Sequence, residues 1–285
     1  MINLQRLAIG VVLACVIAYA ARRAHALNRS GMWAAAGLGT VVMGLGGFGW
    51  AVLLMGFFIS SSLLSHLFKN RKYSLNEKYA KGSERDAVQV LANGGVAGLI
   101  VLLQWVVTHN VNNAATGVLD LLPWMMFAGA LAAANADTWA TELGALSPNA
   151  PRLITSMKIV EPGASGGVTL TGILAALLGS AFIALLAVIL WPVMQTARIS
   201  HSLAYGFALI TIAGLAGSLV DSLLGATLQA IYFCPVCRKE TERHPLHSCG
   251  NATTLHRGLS WLNNDWVNTL CTLSGALFAL LFVII

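Results

Sequence analysis

Two carboxylates stand where an apolar chain would not ordinarily keep them. Asp137 lies in the run Leu131-Ala-Ala-Ala-Asn-Ala-Asp137-Thr-Trp-Ala-Thr-Glu142, and Asp221 repeats the arrangement in Val220-Asp221-Ser222. A charge at the end of an apolar segment is costly. It persists where it binds an ion, relays a proton or lines a polar cavity. Two such groups on facing helices make a cradle for a divalent cation. Mg²⁺ suits this donor set, because it keeps several waters and takes one or two carboxylates plus substrate phosphates. Helical spacing puts Asp137, Thr138 and Thr141 on one face, with Glu142 pointing elsewhere or beginning a loop.

Three further clusters could handle phosphate. In Arg85-Asp-Ala-Val-Gln89-Val-Leu-Ala-Asn93, spacing by four places Arg85, Gln89 and Asn93 on one helix face. Arginine meets phosphate through a bidentate fork, while Gln89 and Asn93 could instead bond across helices. In Lys158-Ile-Val-Glu-Pro-Gly-Ala-Ser165-Gly166-Gly167, a glycine-rich turn leads into a helix, and free N–H groups there would make an anion site. In Asn264-Asp265-Trp-Val-Asn268, Asp265 could cap a helix, which leaves Asn264 and Asn268 unexplained by capping.

A separate constellation reads as a metal site. Cys234-Pro-Val-Cys237 is followed by His244, His247 and Cys249. Cys-x2-Cys with a nearby His and Cys is a zinc pattern. Cys234, Cys237, His247 and Cys249 would complete a tetrahedral set, with His244 as the alternative. Four protein ligands leave no open position, so the expected Zn²⁺ is structural. Cys15 and Cys271 read as packing residues.

The elements that must position these residues span a membrane. The chain is 57% hydrophobic and 10% charged, well outside the soluble range of about 45–50% and about 25%. Apolar stretches of about 20 residues, long enough to cross a bilayer, predict helices over 5–21, 32–49, 51–68, 88–108, 119–138, 167–191, 203–231 and 264–285. The expected fold is all-α: a polytopic integral membrane bundle of about eight helices. A membrane domain (1–231 and 259–285) would carry one small cytoplasmic insertion (232–258).

Fifteen of the seventeen Lys and Arg residues fall in the connections 22–31, 69–87, 139–166 and 232–263. The positive-inside rule puts those connections in the cytoplasm, and both termini and the loops 109–118 and 192–202 outside. The net charge of +6 follows from this topology and does not call for a nucleic-acid partner. A bacterial inner membrane is the expected location. Glycine pairs at 94–95 and 166–167, each followed by a returning helix with an Asp, hint at a parallel internal repeat.

The runs Gln89-Val-Leu-Ala-Asn-Gly-Gly95, Ala136-Asp-Thr-Trp-Ala-Thr-Glu-Leu-Gly144, Ser165-Gly-Gly-Val-Thr, Asp221-Ser-Leu-Leu-Gly-Ala226 and Asn264-Asp-Trp-Val-Asn268 occur in that order. Together they resemble the polytopic family similar to transmembrane protein 19, which includes phytyl-phosphate kinases. The resemblance covers most of the chain from about residue 60. It implies a membrane kinase that passes a phosphoryl group from CTP or ATP to an isoprenyl (phytyl-like) monophosphate at the cytoplasmic leaflet. The matching positions are Arg85, Asn93, Asp137, Glu142, Ser165, Gly166, Asp221, Asn264, Asp265 and Asn268.

The expected roles are then Asp137 and Asp221 on Mg²⁺, with Glu142 and Asp265 beside them as catalytic residues. Arg85, Gln89, Asn93, Lys158, Ser165, Gly166, Gly167, Asn264 and Asn268 would hold the phosphates. The rival reading is a transporter or lipid carrier that uses Asp137 and Asp221 as an ion or proton site. A midplane position for these carboxylates would favour it, whereas the polar residues gather at one rim.

Overall fold

The computed structural model describes residues 4–68, 84–110, 118–194 and 203–284. Most of the expected connections over 69–87, 109–118 and 192–202 lie outside these residues. Among the described residues there are eight α-helices: α1 Leu4–Arg23, α2 Arg29–Val41, α3 Phe48–Leu67, α4 Ala87–Asn110, α5 Val118–Gly144, α6 Leu170–Met194, α7 Leu203–Thr227 and α8 Asn264–Ile284. Their number and order are those expected from the apolar stretches.

The glycine-rich second span departs from a simple helix. α2 runs into a π-helical turn, Val42–Gly46, and stops at Gly47, whose φ is +99°. Glycine alone adopts that conformation without strain. Wider turns and breaks leave carbonyls exposed, and lipid offers them no donor. Arg6 of α1 supplies one: its Nη2 donates to the Leu45 carbonyl at 2.9 Å.

α1, α3, α4, α6 and α7 are each long and apolar enough to cross a membrane on their own. α5, the longest of the described helices, is the central one: it packs against α3, α4, α6, α7 and α8. Its residues from Phe127 to Ala136 are almost all buried, Ala130 to Ala134 at 0–1% exposure. A helix sheathed by other helices needs small side chains rather than lipophilic ones. In lipid, association rests on close van der Waals packing instead of a hydrophobic drive between helices.

Glycines set that close approach. A Cβ at Gly217 of α7 would lie 2.6 Å from the Ala133 Cβ of α5 and 2.9 Å from the Cys271 carbonyl of α8. At Gly275 of α8 it would strike the backbone of Gly129 on α5. Gly217→Val should therefore lower the thermal midpoint in detergent, destabilising the bundle by about 1–3 kcal/mol, the usual cost of overpacking. An unchanged midpoint would show that α7 can back away freely.

The two glycine pairs of the suspected repeat are not equivalent. Gly94 and Gly95 lie inside α4, where a Cβ on Gly94 would meet Leu38 of α2 at 2.5 Å. Gly166 has a φ of +80° in a turn, and Gly167 belongs to a short strand.

Two small sheets cover one end of the bundle. Between α5 and α6, β1 (Arg152–Leu153) pairs antiparallel with β2 (Gly167–Val168). Between α7 and α8, β3 (Ile231–Cys234), β4 (Lys239–Thr241) and β5 (Thr254–Arg257) form an antiparallel sheet in the order β4-β3-β5. This is the expected insertion. It starts directly at the end of α7 and is tied there: Arg257 Nη1 donates to the carbonyls of Gly225 at 2.9 Å and Ala226 at 3.2 Å. A cation on the last carbonyls of a helix also favours the helix dipole.

Candidate functional site

The start of α4 is built by local rules. Asp86 caps it: the Gln89 backbone N–H donates to Asp86 Oδ1 at 2.9 Å, and the Asp86 N–H donates to Gln89 Oε1 at 3.1 Å. This reciprocal pair is a capping box. It explains Gln89 without a ligand, so the structural reading prevails for that side chain's oxygen. Arg85 precedes the cap. Its backbone is pinned to the α1–α2 turn, with Arg85 N–H donating to the Ala26 carbonyl at 3.0 Å and Asn28 N–H to the Arg85 carbonyl at 3.1 Å.

The Arg85 guanidinium is buried, which pulls its pKa down to about 10, while the nearby Glu142 carboxylate opposes that shift. It therefore remains charged at neutral pH. It also lies 5.7 Å above the Phe57 ring. Of the two expectations for Glu142, that it points elsewhere or begins a loop, the second does not hold. α5 continues to Gly144, so Glu142 is buried in its last turns, where Ser65 of α3 donates to Oε1 at 2.8 Å. Glu142 thus faces Arg85 and fastens α3 to α5.

Asp137 sits about one and a half turns earlier on α5, and Asp221 lies near the end of α7, both half-buried. The stripe Gly214, Gly217, Ser218 lets α7 lie against α5 and carries Asp221 to within electrostatic range of Asp137 and of Glu242. Asp221 Oδ2 is buried without a hydrogen-bond partner. Among the described residues, no hydrogen bond or ion pair occupies either Asp137 or Asp221. An unpaired buried carboxylate beside other carboxylates is expensive. A divalent cation removes that cost, so the donor set fits Mg²⁺.

These side chains line one cavity of about 890 Å³. Its wall includes Arg85, Gln89, Asn93, Asp137, Glu142 and Asp221, with Asn264, Asp265 and Asn268 from the first turns of α8. The helix cap of α8 is Asn263, not Asp265: Asn263 Oδ1 accepts from the N–H groups of Asp265 at 3.0 Å and Trp266 at 3.2 Å. Asp265 is freed from capping and faces the cavity, nine-tenths buried.

The glycine-rich turn also lines the cavity, in a different form from the one expected. It does not open directly onto a helix. Gly167 N–H donates to the Ala164 carbonyl at 3.0 Å, and the helix start is capped by Thr169 Oγ1, which accepts from Gly172 N–H at 3.0 Å. Ser165 Oγ donates to Gln229 Oε1 at 2.6 Å. A Cβ on Gly166 would run into Ala226 at the end of α7, so this glycine serves a tight seat as well as its positive φ. Lys158 is exposed and absent from the cavity wall; its carbonyl accepts from Leu153 N–H at 2.9 Å.

Sequence reasoning missed Glu242. It follows β4, lines the cavity opposite Asp221, and accepts from Gln229 Nε2 at 2.8 Å. Arg243, His244 and Tyr232 line the same wall. The available signal was proximity in sequence to the zinc pattern, which pointed to structure and drew attention from its neighbours.

The metal pattern itself closes as read. The ligand atoms of Cys234, Cys237, His247 and Cys249 lie within 4.8 Å of one another. Cys234 Sγ and Cys249 Sγ are 3.6 Å apart, close to the about 3.8 Å implied by tetrahedral Zn–S bonds of about 2.3 Å. Hydrogen bonds from Asn251, then His247, hold the Cys249 thiol down to about 6, whereas hydrogen bonding to Cys249 pushes Cys237 up to about 11. His244 is not a ligand. It stacks on Tyr232, with ring centroids 4.3 Å apart, and its Nδ1 meets Thr253 Oγ1 at 3.4 Å.

No solved structure matches the chain. Protein PGR of Arabidopsis thaliana is 33% identical over 92% of this chain and 91% of its own length. An uncharacterized membrane protein of Methanocaldococcus jannaschii is 28% identical over 98% of this chain and 95% of its own. The family of integral membrane proteins DUF92 matches residues 12–276. With its helical bundle, its rim of carboxylates and this match over nearly its whole length, the chain belongs to the DUF92 integral membrane family, the group similar to transmembrane protein 19.

Proposed function

We propose that the protein is a membrane-embedded phosphotransferase that converts an isoprenyl monophosphate to its diphosphate with CTP or ATP, on the cytoplasmic side. The observation that carries this reading is the polar cavity at one end of the bundle. There Asp137 and Asp221 converge without counter-ions among the described residues, beside the charged Arg85. The positive-inside pattern puts that end, with both termini opposite, on the cytoplasmic side.

Bound Mg²⁺ would neutralise phosphate charge between Asp137 and Asp221. The acceptor's phosphate oxygen attacks the γ-phosphorus of the nucleotide; the bond from that phosphorus to the β-bridging oxygen breaks, and the nucleoside diphosphate leaves. A monophosphate is already ionised at neutral pH, so no strong base is required. The chain's work is positioning and electrostatics. Arg85 holds phosphate oxygens, Glu142 steadies Arg85, and Asn93, Asn264 and Asn268 bear on the remaining oxygens. Asp265 and Glu242 extend the acidic wall. Lys158 has no part.

The test is transfer of label from γ-labelled CTP or ATP to a panel of prenyl monophosphates by purified protein with Mg²⁺. Label appearing in the diphosphate supports the reading. Substrate flux across liposomes without transfer would favour a carrier.

A smaller prediction concerns Gly31 of α2, where an added Cβ would strike the Arg85 carbonyl. Gly31→Ala should push the Arg85 backbone away and raise KM for the monophosphate about tenfold, the scale of one charge-assisted hydrogen bond. A kinetic comparison with wild type checks it.

A further inference from the structure

Resting on that reading, we infer that the apolar groove bounded by α1, α2, α3 and the start of α4 receives the hydrocarbon tail of the same phosphate ester, as a single chain entering from the bilayer. The groove holds about 450 Å³, within the range that buries one small-molecule ligand. That suits one chain and not the two of a glycerophospholipid. Its wall is almost wholly apolar, and small side chains such as Ala14, Ala18, Ala35 and Ala51 leave the space open.

α1 packs on α2 and on the π-helical turn, while Ile9, Val12 and Val16 on its outer surface are exposed. One end of the groove meets the polar cavity, because Arg85, Gln89 and Asn93 line both. A molecule lying across this junction has an apolar body and an anionic end.

The bilayer supplies acyl chains in abundance, so what selects the occupant matters. A tail gains little by leaving lipid for a protein groove that is equally apolar. Retention must come from the head. The charged Arg85 at the junction selects a chain that ends in phosphate and whose head continues into the carboxylate-lined cavity.

The experiment uses full-length protein in phosphatidylcholine nanodiscs without nucleotide. The probe is an isoprenyl monophosphate carrying a diazirine near the tail end, and cross-linked peptides are mapped by mass spectrometry. Label is expected on α1–α3, between Leu13 and Ile59. An excess of unlabelled isoprenyl monophosphate should remove it, and the corresponding alcohol should not. Arg85→Ala should reduce it about tenfold, as expected for loss of a charge-assisted hydrogen bond.

Ala51→Phe should fill the groove and abolish the label while the thermal transition is retained. If that variant does not fold, Ala35→Phe and the competition in wild-type protein decide the matter. Label spread over the lipid-facing sides of α6 and α7, or insensitive to competition, would overturn the assignment, as would equal labelling by photoreactive phosphatidylcholine. Groove labelling without any nucleotide-dependent transfer keeps the tail site and sinks the kinase. Transfer with label elsewhere does the reverse.

Discussion

Asp221→Asn is expected to lower phosphoryl transfer by about a thousandfold, the upper range for loss of one group that stabilises transition-state charge, and to leave the fold intact or slightly more stable without divalent cation. The two effects share a cause. Asp221 Oδ2 is buried without a partner, within range of Asp137 and Glu242. Removing its charge relieves repulsion in the metal-free protein and removes a ligand from the loaded one. A group present only for folding would behave oppositely, costing stability when altered.

Mg²⁺ should raise the thermal midpoint of wild-type protein, because a ligand that binds only the folded state stabilises it by mass action. Asp221→Asn and Asp137→Asn should abolish that rise. A variant that keeps both its activity and its Mg²⁺-dependent shift would remove Asp221 from the site. The readouts are a melting curve with and without Mg²⁺, and initial rates of label transfer.

Stripping zinc should be the second large effect. Binding of a structural zinc contributes on the order of 10–16 kcal/mol in small zinc domains. The strands of the sheet β4-β3-β5 are only three or four residues long, so a bound metal would supply much of the insertion's stability. Cys237→Ser, or a strong chelator, should therefore release the metal and unfold the insertion. The membrane helices should remain, because their contacts are with one another. Activity should nevertheless fall at least a hundredfold, since Glu242, Arg243, His244 and Tyr232 form one wall of the cavity and their placement depends on the sheet. Metal content, helical circular dichroism and transfer rate measured on one preparation separate the possibilities. Zinc loss with full activity would show the insertion to be a docking element, unconnected with chemistry.

The same dependence explains why part of the site was legible in sequence and part was not. Membrane helices are legible because lipid leaves the backbone no alternative, and the apolar lengths fall out directly. The end of the bundle that gathers polar residues followed from the basic connections, and Arg85, Asn93, Asp137 and Asp221 do line one cavity there. The Cys/His cluster that could hold a metal was legible because cysteine spacing is local.

What could not be read was which way a side chain turns at a helix end. Gln89 looked like a ligand by spacing and proved to be half of a capping box. Glu142 was expected to point away from Asp137 or to begin a loop; α5 runs past it and buries it beside Arg85. Lys158 carries the right charge in the right loop, but β1 holds that loop so that the lysine stays outside.

The linear chain, then, determined the membrane class, the helix count, the rim that holds the acidic residues and the candidate metal cluster up to one histidine. Each depends on composition or on spacing within a few residues. Only the tertiary structure decided that His247 rather than His244 completes the metal set, that Glu242 joins the acidic wall, and that an apolar groove opens onto Arg85. These are contacts between elements distant in sequence. They are set by how the strands and turns of the insertion fold back on one another and by how α1, α2, α3 and α4 pack, and no local pattern encodes those distances.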